Sequence, residues 1–165
     1  MVLDISKLIN KNGASVDICE DIALETVSFG NQDITVTSPV HTEGDVTNVD
    51  GLFRLTLRCN ADYVSQCSRC LADTEKKLDF KIEEVFSKTE LENENDEVII
   101  LNSNEIDLKE ITEHALCCAL PITCLCSDDC KGLCPVCGCD LNSENCSCET
   151  DDIDPRLAAL KDFLK

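Results

Sequence analysis

The feature that most constrains this chain is a run of cysteines towards its C-terminal end. Eight cysteines lie within residues 124–148, in the sequence CLCSDDCKGLCPVCGCDLNSENCSC. There the turn sequence Cys134-Pro-Val-Cys137-Gly stands eight residues before Cys146-Ser-Cys148. Four sulfurs bound to zinc at about 2.3 Å need turns of this kind, not an extended or helical backbone. We therefore predict a zinc site formed by Cys134, Cys137, Cys146 and Cys148.

A second C-x-x-C sequence, Cys67-Ser-Arg-Cys70, stands far from the first. It needs two more ligands, and Cys126 and Cys130 remain next to the predicted site. We predict that these four cysteines form a second closed zinc site. Such a site would join the earlier part of the chain to the cysteine-rich segment and would stabilise a segment too short to fold well alone.

Six cysteines remain outside the two predicted sites: Cys19, Cys59, Cys117, Cys118, Cys124 and Cys139. Cys139 or Cys124 could replace one of the predicted ligands, so the spacing leaves the division of ligands open. We interpret Cys19 as a small buried apolar group. On the helix predicted below, Cys118 falls at the edge of the apolar stripe and Cys117 on the far side, which predicts a core thiol and a surface thiol respectively.

Other thiol chemistry stays open as an alternative. Four thiolates also bind iron–sulfur clusters, and Cys67-Ser-Arg-Cys70 could exchange thiols and disulfides, although that redox motif usually stands where a strand leads into a helix. Structural disulfides are disfavoured, because the N-terminus lacks the pattern of a signal peptide and we expect a reducing, cytoplasmic location. No stretch is long and apolar enough for a membrane span.

Catalysis is not expected from this sequence. Closed sites of four cysteines are structural, whereas catalytic zinc keeps an open position and usually has histidine or carboxylate ligands. The two histidines, His41 and His114, lie outside any ligand motif. No phosphate-binding loop, Ser-His-Asp set or paired-carboxylate site is recognisable, and no small-molecule substrate is indicated.

The net charge limits the choice of partner. The chain carries 33 acidic residues against 14 basic ones, for a formal net charge of -19. Contacts from Lys and Arg supply most of the affinity of ordinary nucleic-acid-binding proteins, and here the basic residues form no run. The charge therefore favours a basic protein as partner and disfavours nucleic acid or an anionic membrane.

Residues 1–105 predict a mainly antiparallel β domain, open or barrel-like. Residues 53–63 alternate strictly between apolar and polar side chains, which is typical of a half-buried strand. The dipeptide Asp50-Gly51 before this strand is a strong hairpin signal. The sequence Cys67-Ser-Arg-Cys70 then falls at the tip of the next predicted hairpin, where it predicts a second knuckle-like turn.

Residues 106–165 predict a helix, the cysteine-rich zinc module and a second helix, which makes the fold class α+β. Asp107 begins the first helix, with Glu110 in capping-box spacing. Its apolar stripe consists of Leu108, Ile111, Ala115, Leu116 and Ala119. Asp154 is a natural N-cap for the second helix, and Pro155 fits its first position.

Several motifs follow one another along the chain: Cys67-Ser-Arg-Cys70-Leu71, Leu120-Pro121, Cys126-Ser-Asp-Asp-Cys130-Lys-Gly-Leu-Cys134-Pro-Val-Cys137-Gly, Asp140-Leu-Asn142 with Cys146 and Cys148, and Asp154-Pro-Arg156-Leu-Ala-Ala-Leu160. In this order they resemble the motifs of the YceD-like large ribosomal RNA subunit accumulation proteins. The resemblance covers most of the chain. It is sharp from Ile106 onward and at Cys67–Leu71, and diffuse before Asp33.

The resemblance implies a bacterial or organellar cytoplasmic protein that is needed for accumulation of the large-subunit ribosomal RNA, without catalytic activity. Combined with the charge, it leads to the hypothesis of an acidic, zinc-stapled factor in ribosome assembly. Its expected partner is a basic ribosomal protein or a pre-ribosomal large-subunit particle. Arg54, Arg58 and Arg69, on or beside one hairpin, would allow a small contact with ribosomal RNA.

Overall fold

The computed structural model describes residues 1–29, 32–89 and 98–148. The strands within these ranges are β1 (Val2–Asp4), β2 (Ser15–Ile22), β3 (Thr26–Phe29), β4 (Gln32–Val36), β5 (Val40–Val49), β6 (Leu52–Gln66), β7 (Asp73–Ser87), β8 (Val98–Ile100) and β9 (Glu105–Asp107). A helix, α1, spans Leu108–Ala119. The predicted α+β class with a mainly antiparallel sheet is confirmed. The second helix, predicted to begin at Asp154, lies outside the described residues.

Strand β6 organises the larger sheet. It has 15 residues, which is long enough to pair with two strands along one edge. Strand β5 pairs antiparallel with its first part, from Val49↔Leu52 to His41↔Asn60, and β4 pairs further along at Val36↔Tyr63. The strand order is β2-β5-β6-β4-β3, and β7 also pairs with β6. Strands β1 and β9 form a separate two-stranded antiparallel sheet.

The burial of β6 follows its sequence pattern. The side chains on one face are all buried, and they are Phe53, Leu55, Leu57, Cys59, Ala61 and Tyr63. Burial also raises the pKa of the Cys59 thiol to about 11, because the thiolate would lose its hydration. The predicted hairpin turn before β6 is present, and both of its central residues have positive φ, 54° at Asp50 and 87° at Gly51. Such angles match the right-handed twist of the strands they connect.

Strand β8 departs from the antiparallel pattern. It pairs parallel with β7, from Val85↔Val98 to Ser87↔Ile100. A short apolar run such as Val98–Leu101 predicts a strand, but it contains nothing that indicates the direction of its partner.

Helix α1 begins as the sequence predicts. The side chain of Asp107 accepts a hydrogen bond of 2.9 Å from the backbone N–H of Lys109. That bond and the nearby positive N-terminus lower the pKa of the Asp107 carboxyl. The helix ends at Leu120, whose backbone is extended, because a residue before proline avoids the helical region. Leu108 and Leu116 on α1 are fully buried in the apolar core.

Three predictions about the remaining cysteines are wrong. Cys19 is exposed, because Ile18 and Ile22 face the core and odd-numbered positions of β2 therefore face outward. Cys117 packs against the core, and its S–H donates to the carbonyl oxygen of Ser28 on β3 at 3.8 Å. Cys118 is exposed instead. The helical pattern did not show that β3 covers the far side of α1.

The chain divides into two compact units. The first unit comprises Met1–Ser65 and Asp73–Ile122, and it contains the sheets, α1 and the apolar core. The second unit comprises Gln66–Ala72 and the chain from Thr123 onward. Our division of the chain into residues 1–105 and 106–165 stays a prediction. Among the described residues, no helix is long and apolar enough to cross a membrane.

Candidate metal centres

The second unit contains two groups of cysteine sulfurs. The first group, which we call the split cluster, is formed by Cys67, Cys70, Cys126 and Cys130, whose sulfurs all lie within 4.8 Å of one another. The sulfurs of Cys67 and Cys130 are 3.8 Å apart, and those of Cys70 and Cys126 are 3.6 Å apart. A tetrahedral ion with metal–sulfur bonds of about 2.3 Å has sulfur–sulfur edges of about 3.8 Å. The split cluster therefore fits one tetrahedral metal ion.

A tight turn positions the first two sulfurs of the split cluster. The carbonyl oxygen of Cys67 accepts a hydrogen bond of 2.9 Å from the backbone N–H of Leu71. The turn leaves Leu71 in the left-handed region, with φ of 62°, and its side chain is exposed. From the other side, the backbone N–H of Cys126 points at the Cys67 sulfur at 3.4 Å. Backbone dipoles thus stabilise negative charge on this sulfur.

The pKa values in the split cluster follow from these contacts. Backbone N–H groups of Cys70 and Arg69 lower the pKa of Cys67 to about 6. The N–H of Ala72 acts in the same direction on Cys70, but burial and the neighbouring thiols raise the pKa of Cys70 to about 12. The thiol of Cys130 raises the pKa of Cys126. Crowded sulfurs resist losing further protons once one is a thiolate, and a bound cation removes that cost.

Several contacts hold the two segments of the split cluster together. The Arg69 guanidinium donates from Nη1 to the carbonyl oxygen of Cys130 at 2.8 Å. The backbone N–H of Leu133 donates to the carbonyl oxygen of Arg69 at 3.1 Å. Ser68 and Cys124 bond reciprocally, through the Ser68 N–H and the Cys124 carbonyl at 2.7 Å and the Cys124 N–H and the Ser68 hydroxyl at 3.2 Å. Cys124 is buried and fixes the backbone, and it belongs to neither group of sulfurs.

The second group, which we call the local cluster, is formed by Cys134, Cys137, Cys139 and Cys146. The sulfur of Cys146 lies 3.5 Å from that of Cys137 and 3.4 Å from that of Cys134. These separations are again close to the edges of a tetrahedral site of four thiolates. The local cluster can therefore hold a second ion with ligands that all come from one short segment.

A fifth thiol, Cys148, adjoins the local cluster. Its backbone N–H donates to the Cys146 sulfur at 3.3 Å. The thiols of Cys146 and Cys137 raise the pKa of Cys148 to about 12. The thiol of Cys137 raises the pKa of Cys139 to about 12 in the same way. Cys139 thus completes the group of four sulfurs, and Cys148 stands beside two of its members, Cys137 and Cys146.

The turn in the local cluster repeats the geometry of the split cluster. The carbonyl oxygen of Cys134 accepts from the N–H of Gly138 at 2.8 Å, and Gly138 has φ of 75°. The N–H of Val136 points at the Cys134 sulfur at 3.4 Å. Backbone N–H groups of Cys137 and Val136 lower the pKa of Cys134. For Cys137, the N–H of Cys139 is the largest contribution, and the pKa falls to about 6.

Asn142 contacts the split cluster through its side chain. Its side-chain N–H donates to the Cys130 sulfur at 3.4 Å, and its side-chain oxygen accepts from the N–H of Lys131 at 2.8 Å. Asp140 holds Asn142 in place through its carboxylate, which accepts from the Asn142 backbone N–H at 3.0 Å. This bond lowers the pKa of Asp140. Asn142 is thus a positioning residue that contacts a candidate ligand.

The structure brings together most of the predicted ligands. Cys67, Cys70, Cys126 and Cys130 form one group as predicted. Of the other predicted set, Cys134, Cys137 and Cys146 lie together, Cys139 completes the group and Cys148 adjoins it. Which of these sulfurs bind an ion stays a prediction.

The sequence does not predict the contacts that Arg69 and Asn142 make with the split cluster. It indicates Arg69 as a candidate contact with RNA and Asn142 as part of a motif. The spacing Asp140-Leu-Asn142 within that motif is the feature of the sequence that could have indicated the role of Asn142. The two histidines lie elsewhere: the Nδ1 atom of His41 is 2.7 Å from the carboxylate of Asp21, and both side chains are exposed. His114 is on α1.

Comparisons with known proteins agree with the motifs. The model of a family described as large ribosomal RNA subunit accumulation protein YceD matches residues 55–164. An uncharacterized protein of Mycobacterium tuberculosis is 31% identical over 170 residues, which cover 99% of this chain and 81% of that protein. The uncharacterized protein YlbN of Bacillus subtilis is 28% identical over 155 residues, which cover 92% of this chain and 89% of that protein. No solved structure gives a significant match.

Proposed function

This chain belongs to the YceD family of large ribosomal RNA subunit accumulation proteins, and from this premise we propose that it is a non-catalytic factor in assembly of the large ribosomal subunit. The observation that carries the proposal is the family match, which spans residues 55–164 and includes both cysteine clusters. Its role would be to support accumulation of the large-subunit ribosomal RNA.

Each cluster, in this proposal, holds one structural Zn²⁺. The sulfur–sulfur distances of 3.4 to 3.8 Å support tetrahedral coordination. Four thiolates leave no position for a reacting water, so the ions would stabilise the fold and perform no chemistry. In the split cluster the ligands would be Cys67, Cys70, Cys126 and Cys130. In the local cluster they would be Cys134, Cys137 and Cys146, with Cys139 or Cys148 as the fourth.

The proposed partner is a basic ribosomal protein, free or within a pre-ribosomal large-subunit particle. The formal net charge of -19 supports attraction to a basic protein and repulsion from bare RNA. The candidate RNA contacts have little support: Arg58 stands opposite the acidic Glu43 in the register of β5 and β6, and the guanidinium of Arg69 donates to the carbonyl oxygen of Cys130. A direct contact with ribosomal RNA would therefore be secondary.

We propose a reducing, cytoplasmic location. All 14 cysteines are free thiols in this structure, and disulfides would compete with the two metal sites. The alternative function, a redox protein with an iron–sulfur cluster or an exchanging Cys67–Cys70 pair, is less well supported. The sulfur of a redox pair must be reached by its substrate, whereas Cys67 is 0% exposed.

The ribosomal role is tested in cells from which this protein can be depleted. We expect depletion to lower the ratio of large-subunit to small-subunit ribosomal RNA, and a plasmid copy of the chain to restore it. A copy that carries Cys67→Ser and Cys130→Ser should not restore it, whereas one that carries Cys19→Ser, an exposed cysteine outside both clusters, should. An unchanged ratio after complete depletion would contradict the proposed function.

The metal content is tested by elemental analysis of protein purified under reducing conditions. Two zinc ions per chain are expected. One zinc would leave one cluster without a structural ion, and iron would support the redox alternative. Reduced, folded protein without metal would contradict the zinc proposal.

A further inference from the structure

A groove lies on the first unit, beside helix α1. Its lining contains none of the cysteines proposed as ligands. It has a volume of about 680 Å³ and is lined by residues of β7, β8, β9 and α1. Its floor is apolar and includes Phe86, Ile99, Leu101, Ile106 and Ile111. We call it the acidic groove, because of the residues at its rim.

The rim carries the carboxylates of Glu84, Glu105, Asp107, Glu110 and Glu113. Among the described residues that line the groove there is no Lys or Arg. The basic groups at the groove are the imidazole of His114 and the N-terminal ammonium of Met1, which lies 3.3 Å from the carboxylate of Asp107. Nearby carboxylates repel one another and attract cations into the same low-dielectric surface. An anionic ligand, such as a nucleotide or the phosphates of RNA, would meet repulsion from this rim.

The floor is open to solvent as well as apolar. Ile99 is 43% exposed although it belongs to a strand. A concave surface with an apolar lining and a few polar groups at its edge is typical of a binding site. The combination of floor and rim fits a segment that carries apolar side chains on one face and Lys or Arg beside them, as amphipathic helices do when they lie in grooves.

We propose that the acidic groove binds a basic amphipathic segment of a large-subunit ribosomal protein. This inference rests on the proposed function and names the surface of the chain that would contact the basic partner. The apolar residues of the segment would cover Ile99, Leu101 and Ile111, and its basic side chains would pair with the rim carboxylates. Both the apolar contacts and the charge pairs are needed, because exposed charge pairs at the rim contribute little by themselves and are screened by salt.

Two other occupants fit less well. A second copy of the chain would bring another net charge of -19 to the same surface, and that repulsion disfavours self-association. The chain's own residues 149–165 contain five acidic residues and three basic ones. They therefore do not complement an acidic rim as a basic partner would.

The test uses the full zinc-loaded chain and a defined probe, the fluorescein-labelled peptide KLAKLAKKLAKLAK, with binding followed by fluorescence anisotropy. Binding is expected, and replacing every leucine of the peptide by serine should weaken it about tenfold or more. In the chain, the double substitution Glu105→Lys and Glu113→Lys, at exposed rim positions, should weaken binding about tenfold. Ile99→Ser, which removes part of the open floor, should also weaken it.

The matched control carries the same change in charge outside the groove. Glu20→Lys and Glu75→Lys replace two exposed strand residues and should change the affinity by less than about twofold. Circular dichroism and zinc content confirm that every variant is folded. Equal losses for the groove variant and the control would mean that only the total charge matters, and would overturn the proposal. If the double substitution Leu157→Ser and Leu160→Ser strengthens binding of the peptide about tenfold, the chain's own tail is the occupant of the groove, and the proposal is overturned as well.

Purified large-subunit ribosomal proteins separate this inference from the proposed function. If the wild-type chain binds none of the basic ones, the proposed function fails and the groove assignment fails with it. If the chain binds one of them and Glu105→Lys with Glu113→Lys binds it equally well, only the groove assignment fails. A basic protein that binds the wild type and the charge control, but binds the groove variant about tenfold more weakly, supports both.

Discussion

The two units of this chain exclude water from their interiors by different means. In the first unit, a cluster of apolar side chains from the sheet and α1 is buried, with Leu55, Leu57 and Leu116 at 0% exposure. In the second unit, the buried side chains of the described residues are all cysteines: Cys67, Cys124, Cys130 and Cys134. A segment whose interior is sulfur has little apolar area to bury, so its folding free energy must come from elsewhere. The same chain thus combines a unit that is stabilised by the hydrophobic effect with a second unit whose folding, in our proposal, depends on bound ions.

Removal of metal should give the largest effect and should separate the two units. Structural zinc in small modules contributes about 10 kcal/mol or more to folding, so a strong chelator should unfold the second unit. The apolar core of the first unit contains no candidate ligand, and we expect its strands to stay folded. Amide hydrogen exchange measures both at once. Residues 126–146 should lose protection, and β5 and β6 should keep it.

The control for chelation is the same chelator already saturated with zinc, which should leave all amides unchanged. Equal loss of protection in both units would show that the first unit also depends on the ions.

A cavity in the apolar core should act on the first unit. Leu57 is 0% exposed, and Leu57→Ala should lower the free energy of unfolding of this unit by about 2–5 kcal/mol, through lost burial and the cavity left behind. Denaturant unfolding measures the loss, and the zinc content should stay the same. Val49→Ala on β5 serves as the control in the same unit, because that valine is 42% exposed. A similar loss for both variants would contradict the assignment of Leu57 to the core.

The fourth ligand of the local cluster can be identified by single substitutions. Cys139 lies within the group of four sulfurs and Cys148 adjoins it. Cys139→Ser, which removes a ligand, should therefore weaken zinc binding at this cluster by about a hundredfold or more, since the loss of a residue that only orients a ligand already costs about tenfold to a hundredfold. Cys148→Ser should weaken it less. Competition with a chromophoric chelator measures the affinity. The double variant keeps three thiolates and should bind the ion more weakly than either single variant, because a water then takes the fourth position.

The opposite ranking, with Cys148→Ser the more damaging, would make Cys148 the ligand, as the spacing of the sequence predicts. Cys124→Ser is the control in this series, because Cys124 is buried but lies outside both groups of sulfurs.

A change in the turn of the local cluster should give the smallest effect. Gly138 has φ of 75°, and a Cβ added there would meet nothing within 4 Å. The cost of Gly138→Ala is therefore backbone strain alone, about 1 kcal/mol, and it should appear as weaker zinc binding. Gly138→Asn should cost less, because asparagine tolerates the left-handed region. Equal losses of zinc affinity for the two variants would indicate that the added side chain clashes with a neighbouring atom, which this geometry does not predict.

Much of the first unit could be predicted because its signals are local. The alternation at residues 53–63 and the turn at Asp50-Gly51 each depend on a few adjacent residues. The parallel pairing of β8 could not be predicted, since an apolar run of three residues does not specify its neighbour. The positions of Cys117 and Cys118 were exchanged for a similar reason. The covering of the far side of α1 depends on where β3 lies, which is a tertiary contact.

The candidate site was predictable to the extent that spacing limits geometry. Two C-x-x-C pairs need two further pairs of ligands. This need predicts the grouping of Cys67 and Cys70 with Cys126 and Cys130, but the spacing leaves the division of ligands open. Spacing does not decide between Cys139 and Cys148, because both are within reach of the same three sulfurs. The contact of the Asn142 amide with the Cys130 sulfur was equally hidden, since it depends on a side-chain orientation.

The sequence separation within the split cluster has a consequence for the synthesis of the protein. Its sulfur pairs are 63 and 56 positions apart. A translating ribosome adds residues at about 5–20 per second, so the first two thiols emerge several seconds before the other two exist. The nascent chain therefore cannot complete this coordination shell until Cys130 has left the exit tunnel. If an ion binds here as proposed, its capture requires that both segments of the second unit have been synthesised, and an interrupted product keeps Cys67 and Cys70 without their partner thiols.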